Sequence, residues 1–251
     1  MTLEILTCET LLPIRHGFFT RRGGASSGVF AGLNCGQGSS DQREVVAINR
    51  ARVAQAMEVA PKDLLGVHQV HSAKAITVTQ SFEDKPKADA LVTNTPGLAL
   101  SVLTADCQPV LFVDPANHVI GAAHAGWRGA LDGVLEATVD AMCALGATRE
   151  MLNVAIGPTI SQRAYEVGPE FFDMFVGQDA QYARFFVQGD GDRMHFDLPG
   201  FGLHRLREAG IGSAEWTRHC TYADPERFYS YRRATHEREA DYGRLIAAIT
   251  L

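Results

Sequence analysis

The apolar segments of this chain are short and irregularly ordered, and that constrains its fold more than any other feature. Strand-length apolar runs occur at 14–20, 66–70, 75–79, 98–103, 110–113, 119–123, 152–156, 193–197 and 245–251. Helical spacing is confined to four segments. The first ends near Ala60 and carries Val45, Ile48, Val53 and Met57, with Asp41 and Glu44 spaced as a capping box. The second begins near Gly129, carries Leu131, Val134, Leu135, Thr138, Met142 and Leu145, and stops at Gly146. Residues 169–176 and 203–209 supply two shorter ones, the latter closed by Gly210. Strands that do not alternate with helices argue against a doubly wound parallel sheet. Without a repeat or a linker to divide it, the chain is expected to form a single mixed α+β domain over residues 1–251.

Composition narrows the functional classes. A net charge of −6 and a pI of about 5.8 argue against a general nucleic-acid binder. The longest apolar runs fall far short of the ~20 residues of a membrane span. No basic region followed by an apolar stretch marks the N-terminus, so a cytoplasmic protein without a membrane partner is expected. Five scattered cysteines without a C-x-x-C pair suit reduced thiols in a cytosol. Only Lys62, Lys74, Lys85 and Lys87 are lysines among 23 basic residues. Arginine suits phosphate recognition, although a GC-rich genome produces the same bias.

Nucleotide-binding loops of the G-x-x-x-x-G-K-S/T and G-x-G-x-x-G types are absent. Arg21-Arg22-Gly23-Gly24 offers two guanidinium groups and backbone N–H groups to an anion, or is a solvated turn. The chemically informative residues are His68-Gln-Val-His71, Asp106-Cys107 and His124-Ala-Gly-Trp-Arg128. His71 follows one strand candidate, Cys107 lies just after another, and His124 closes a third. Imidazole and thiolate are ligands zinc prefers, and three protein ligands leave a fourth position for water or substrate. The same atoms also fit a cysteine nucleophile with His124 as its base and Asp106 or Asp89 orienting the imidazole. Spacing does not separate the two arrangements.

These residues belong to a longer series: His16-Gly-Phe-Phe-Thr-Arg-Arg-Gly-Gly, Gln69-Val-His71, Ala88-Asp-Ala-Leu-Val, Thr104-Ala-Asp-Cys107, His124-Ala-Gly-Trp-Arg-Gly129, Ile156-Gly-Pro158, Tyr165-Glu-Val167 and Ser230-Tyr-Arg-Arg233. In order and nearly end to end, the series resembles the YfiH family, also called peptidoglycan editing factor, laccase-domain protein or multifunctional purine nucleoside phosphorylase. The resemblance implies a layered α/β sandwich with mixed β-sheets. It also implies one zinc held by His71, Cys107 and His124, which are then the catalytic residues as well. The implied reactions are phosphorolysis of adenosine, inosine, guanosine and methylthioadenosine, and deamination of adenosine. Two departures stand out. Thr159 occupies a position where many relatives have cysteine, and Ala234-Thr-His-Glu-Arg-Glu replaces the usual Asp-Gly-x-Thr-Gly-Arg run.

A laccase mechanism is disfavoured by counting. Multicopper oxidases use about ten histidines, many in H-x-H pairs, whereas this chain has nine and no such pair. Copper is instead expected only as a substitute for zinc. A phosphorylase must also bind phosphate, and Arg128, Arg232, Arg233 and Arg21 are the candidate anion contacts. The alternative activity is hydrolysis of a wrongly added amino acid from a UDP-muramyl precursor, by Cys107 or a zinc-activated water. A non-enzymatic binding module is the third option. Within His68-Gln-Val-His71, an extended chain would point the two imidazoles to opposite faces. The resemblance selects His71 as the ligand.

Overall fold

The structure is a computed structural model that describes residues 2–251. Its strands are β1 (Ile5–Leu6), β2 (Arg15–Phe19), β3 (Leu64–Leu65), β4 (Ala75–Thr77), β5 (Ala90–Thr93), β6 (Ala99–Thr104) and β7 (Gln108–Asp114). They continue with β8 (Val119–Ala125), β9 (Asn153–Ile156), β10 (Glu166–Val167), β11 (Phe186–Gln188), β12 (Met194–Phe196), β13 (Ser213–Trp216) and β14 (Leu245–Thr250). The α-helices are α1 (Arg43–Ala56), α2 (Trp127–Asp132), α3 (Val134–Ala144), α4 (Pro169–Gln178), α5 (Leu198–Glu208) and α6 (Tyr231–Glu237).

Two large mixed sheets stack face to face. One has the order β1-β2-β14-β6-β3, the other β13-β9-β7-β8-β5-β4, and β10-β12-β11 form a small third sheet. Side-chain alternation assigns the layers. From β14, Ala247 and Ile249 enter the core between the large sheets, where Leu111 and Val113 of β7 meet them. Ile246 and Ala248 face the other way and pack on Val53, Ala54 and Met57 of α1 and its end. Val110 and Phe112 of β7 turn outward onto Val134, Leu135, Val139 and Met142 of α3 and onto Phe201 of α5. The result is a helix–sheet–sheet–helix sandwich, as the family resemblance implied. Every residue of β7 and β8 is buried because both faces are covered. That burial is why these strands read as unbroken apolar runs.

Several sequence expectations shift for local reasons. The capping box does not form: α1 starts after Gln42 without a side-chain cap. The Asp41 carboxylate is taken by Ser26 Oγ and Asn34 Nδ2, at 2.7 and 2.9 Å. The helix expected from Gly129 begins earlier and breaks at Gly133, where φ is +98°. The segment 66–70 is not a strand. Only Leu64–Leu65 pairs with β6, and the chain then turns through His71, whose φ is +59°.

Candidate metal centre

Sheet register brings the distant motifs together. β8 runs antiparallel to β5 and β7, with Ala123 opposite Ala90, His124 opposite Pro109 and Ala125 opposite Gln108. Asp89, just ahead of β5, accepts the His124 backbone N–H through its own carbonyl at 2.7 Å. Cys107, just ahead of β7, lies beyond Gln108 and beside Gly126. A β-carbon added to Gly126 would stand 2.9 Å from Cys107 Sγ and 3.0 Å from His71 Cδ2. Only glycine leaves these side chains room at that position.

Asp89, fully buried, organises the site. Its carboxylate accepts from the backbone N–H groups of Val70, His71 and Ser72, at 3.2, 3.0 and 2.6 Å, and from Ser72 Oγ at 2.8 Å. It also meets His124 Nδ1 at 2.9 Å. One carboxylate therefore fixes the turn that presents His71 and the ring of His124, leaving His124 Nε2 for the centre. Burial opposes ionisation of Asp89, but His124 and the Ser72 donors outweigh it and draw its pKa down to about 2. Burial likewise opposes ionisation of Cys107, yet His124 and His71 hold the thiol below its ordinary range. Burial disfavours imidazolium at His124, but Cys107 and Asp89 raise its pKa.

The donor set fits a tetrahedral ion. The ligand atoms of His71, Cys107 and His124 all lie within 4.8 Å of one another, and Cys107 Sγ is 3.9 Å from His71 Nε2. Zinc–nitrogen and zinc–sulfur bonds would draw adjacent donors to about 3.6 Å, against separations of up to 4.8 Å in the cluster. The two imidazoles meet edge to face with centroids 4.7 Å apart. His68 stands outside this cluster, with its backbone bridged to the segment Pro86–Ala88.

The remaining sequence candidates separate. Asp106, with φ +84°, does not reach the imidazoles. Its buried carboxylate accepts from Thr221 Oγ1 at 2.6 Å, Ser230 Oγ at 2.9 Å and the Arg232 N–H at 2.7 Å. Thr159 donates its hydroxyl to the Asp106 carbonyl at 2.7 Å. The divergent run after Arg233 forms most of α6. Arg232 lies beside the cluster, with its Nη1 on the Glu166 carbonyl at 2.7 Å and its guanidinium over Tyr165. The structure does not bring Arg21, Arg128 or Arg233 to the site. Arg21 binds the carbonyls of Ala31 and Pro225, and Arg233 those of Thr221, Tyr222 and Phe228. Arg128 is exposed and stacks on Trp127.

Two clefts open from the cluster and share His71, Ala105 and Cys107. One, of about 410 Å³, is walled by Trp127, Tyr165, Phe171, Arg193 and Arg232. The other, of about 580 Å³, is walled by Gln37, His68, Lys85 and Arg244. Sequence reasoning missed Lys85, Arg193 and Arg244, which are isolated cations without a motif. No helix among the described residues is long and apolar enough to cross a membrane.

Residues 15–251 match the family model described as multi-copper polyphenol oxidoreductase laccase. The chain is 42% identical over 224 residues to a Deinococcus radiodurans protein named purine nucleoside phosphorylase, covering 88% of this chain and 85% of that one. It is 37% identical over 214 residues to purine nucleoside phosphorylase YfiH of Escherichia coli, covering 85% and 86%. Among solved structures, it is similar to the Neisseria meningitidis protein NMB0706, with a TM-score of 0.90 at 32% identity over 100% and 99% of the two chains.

Proposed function

The chain belongs to the YfiH family, and from that premise we propose that it is a zinc-dependent purine nucleoside phosphorylase with adenosine deaminase activity, working in the cytoplasm. The observation that carries this reading is a His71–Cys107–His124 donor set, backed by the buried Asp89 carboxylate, at the rim shared by two clefts. Such a set suits zinc, with copper as a substitute that the affinity order of divalent ions allows. Zinc bound there would supply Lewis-acid activation of water near neutral pH, the chemistry adenosine deamination requires.

Phosphorolysis moves the glycosyl group from the base to phosphate. The C1′–N9 bond breaks, its electron pair leaves with the purine and is protonated, and a phosphate oxygen bonds to C1′. The chain must hold two substrates against each other and stabilise charge on the departing base. The paired clefts suit that task, and His71 and His124 are nearby N–H or metal-ligating groups, oriented by Asp89.

Metal-replete protein given inosine and phosphate should form hypoxanthine and ribose 1-phosphate, and adenosine should yield inosine. If neither product forms and muramyl-serine precursors are cleaved instead, the amide-hydrolase reading replaces this one.

A further inference from the structure

We propose that the two clefts divide the substrates of this reaction: the purine nucleoside enters the aromatic cleft, and inorganic phosphate is bound in the other by Lys85 and Arg244. This assignment rests on the phosphorylase reading above and deepens it.

Charge distinguishes the two sides. In the aromatic cleft, Arg193 and Arg232 are offset by the carboxylates of Asp106, Glu166 and Glu170, an environment that gives a dianion little net attraction. In the second cleft, Lys85 and Arg244 face one lining carboxylate, Glu83, and Asp241 pairs with Arg244 from behind. Among the described residues Lys85 Nζ bonds only the neutral amide of Gln37 and has no carboxylate partner. Arg244 is held in place from one side. Its guanidinium lies 4.0 Å over the Tyr242 ring, and Nη1 reaches Asp241 and the Tyr242 carbonyl at 2.9 and 2.5 Å. Among the described residues no hydrogen bond occupies its Nη2 or Nε, so one edge of the fork remains for phosphate oxygens. Gly36 permits this placement, because a β-carbon there would stand 2.5 Å from Arg244 Cδ.

The first cleft has the complementary character. Trp127, Tyr165 and Phe171 line it and pack with ring centroids 4.9 and 5.9 Å apart, an aromatic wall of the kind against which a base packs. Substrates entering from the two sides meet at Cys107 and His71, which places C1′ at the common rim.

Steady-state kinetics with inosine and phosphate varied separately test the division. Lys85→Ala should raise KM for phosphate at least about tenfold, the loss expected for one charge-assisted contact. Its KM for inosine should change less than about twofold, and Lys85→Arg should recover most of the phosphate affinity. Trp127→Leu should do the reverse. A Lys85→Ala enzyme with unchanged KM for phosphate, or with the inosine value raised instead, overturns the assignment. Thermal unfolding keeps its failure distinct from failure of the phosphorylase reading. If the wild-type protein does not cleave inosine, the phosphorylase reading falls. A rise in Tm with inorganic phosphate that Lys85→Ala abolishes would still support the anion site. Absence of that rise in the wild-type protein would remove it.

Discussion

Asp89 shows how much of the site depends on a residue that need not touch the metal or substrate. Its carboxylate holds both the His71 turn and the His124 ring, so Asp89→Asn should weaken zinc binding by about 10–100-fold, the usual effect of losing such a supporting carboxylate. Competition against a chromophoric chelator would show it, with circular dichroism confirming the fold. Unchanged affinity would mean the turn is fixed by other contacts. His71→Ala should abolish metal retention, whereas His68→Ala should keep most of it, since His68 stands outside the donor cluster. Equal zinc loss in the two purified variants would show that His68 also reaches the metal. Gly126→Ala should disturb the cluster through the close approach to Cys107 Sγ, read as reduced zinc content in a folded protein. The three donors were legible in the sequence through the ordered motif series. Their support was legible only in part: Asp89 and Asp106 were equal candidates for orienting the imidazole. Sheet register, which no local pattern reveals, puts Asp89 beside His124.

At the scale of elements, the loop before β7 is fastened to remote segments by Asp106, whose carboxylate receives Thr221, Ser230 and the first turn of α6. Asp106→Ala orphans these donors, at roughly 1–3 kcal/mol for each group left unsatisfied. Loss of about 3 kcal/mol should lower Tm by about 6–12 °C in a chain of this size. Calorimetry would measure it, and a shift below about 2 °C would show that water replaces the carboxylate without cost. The major strands were readable because burial on both faces imposes continuous apolar runs. The short ones were not: β5 hides in a motif segment, and β13 is a half-buried edge strand of mixed character. The capping box failed because Asp41 has better partners in Ser26 and Asn34, a tertiary contact that spacing cannot foresee.

At the scale of the whole molecule, the layering followed from the family resemblance, while the residues alone gave only a mixed α+β domain. His16 shows how one motif residue serves the layers rather than the chemistry. Buried, it accepts the Cys8 N–H at Nε2 and pairs Nδ1 with the Ile14 carbonyl, at 2.9 and 2.8 Å. That pattern demands the neutral ring, and burial holds its pKa below the ordinary value. The unfolded chain takes up a proton near pH 6.5 while the folded one resists, so this contribution is lost as pH falls below about 6.5. His204 and His219 are also held down and act with the same sign. Urea midpoints measured between pH 7.5 and 5.5 should therefore fall less steeply in His16→Gln than in the wild-type protein. Parallel slopes would assign the acid sensitivity elsewhere. Zinc dependence of the reaction tests directly whether the His71–Cys107–His124 cluster is the metal centre of a phosphorylase. Hypoxanthine release from inosine and phosphate should be followed as zinc is titrated into chelator-stripped protein. Activity should rise from near zero and saturate at one zinc per chain; full activity in the stripped protein would show that the cluster is not a catalytic metal centre.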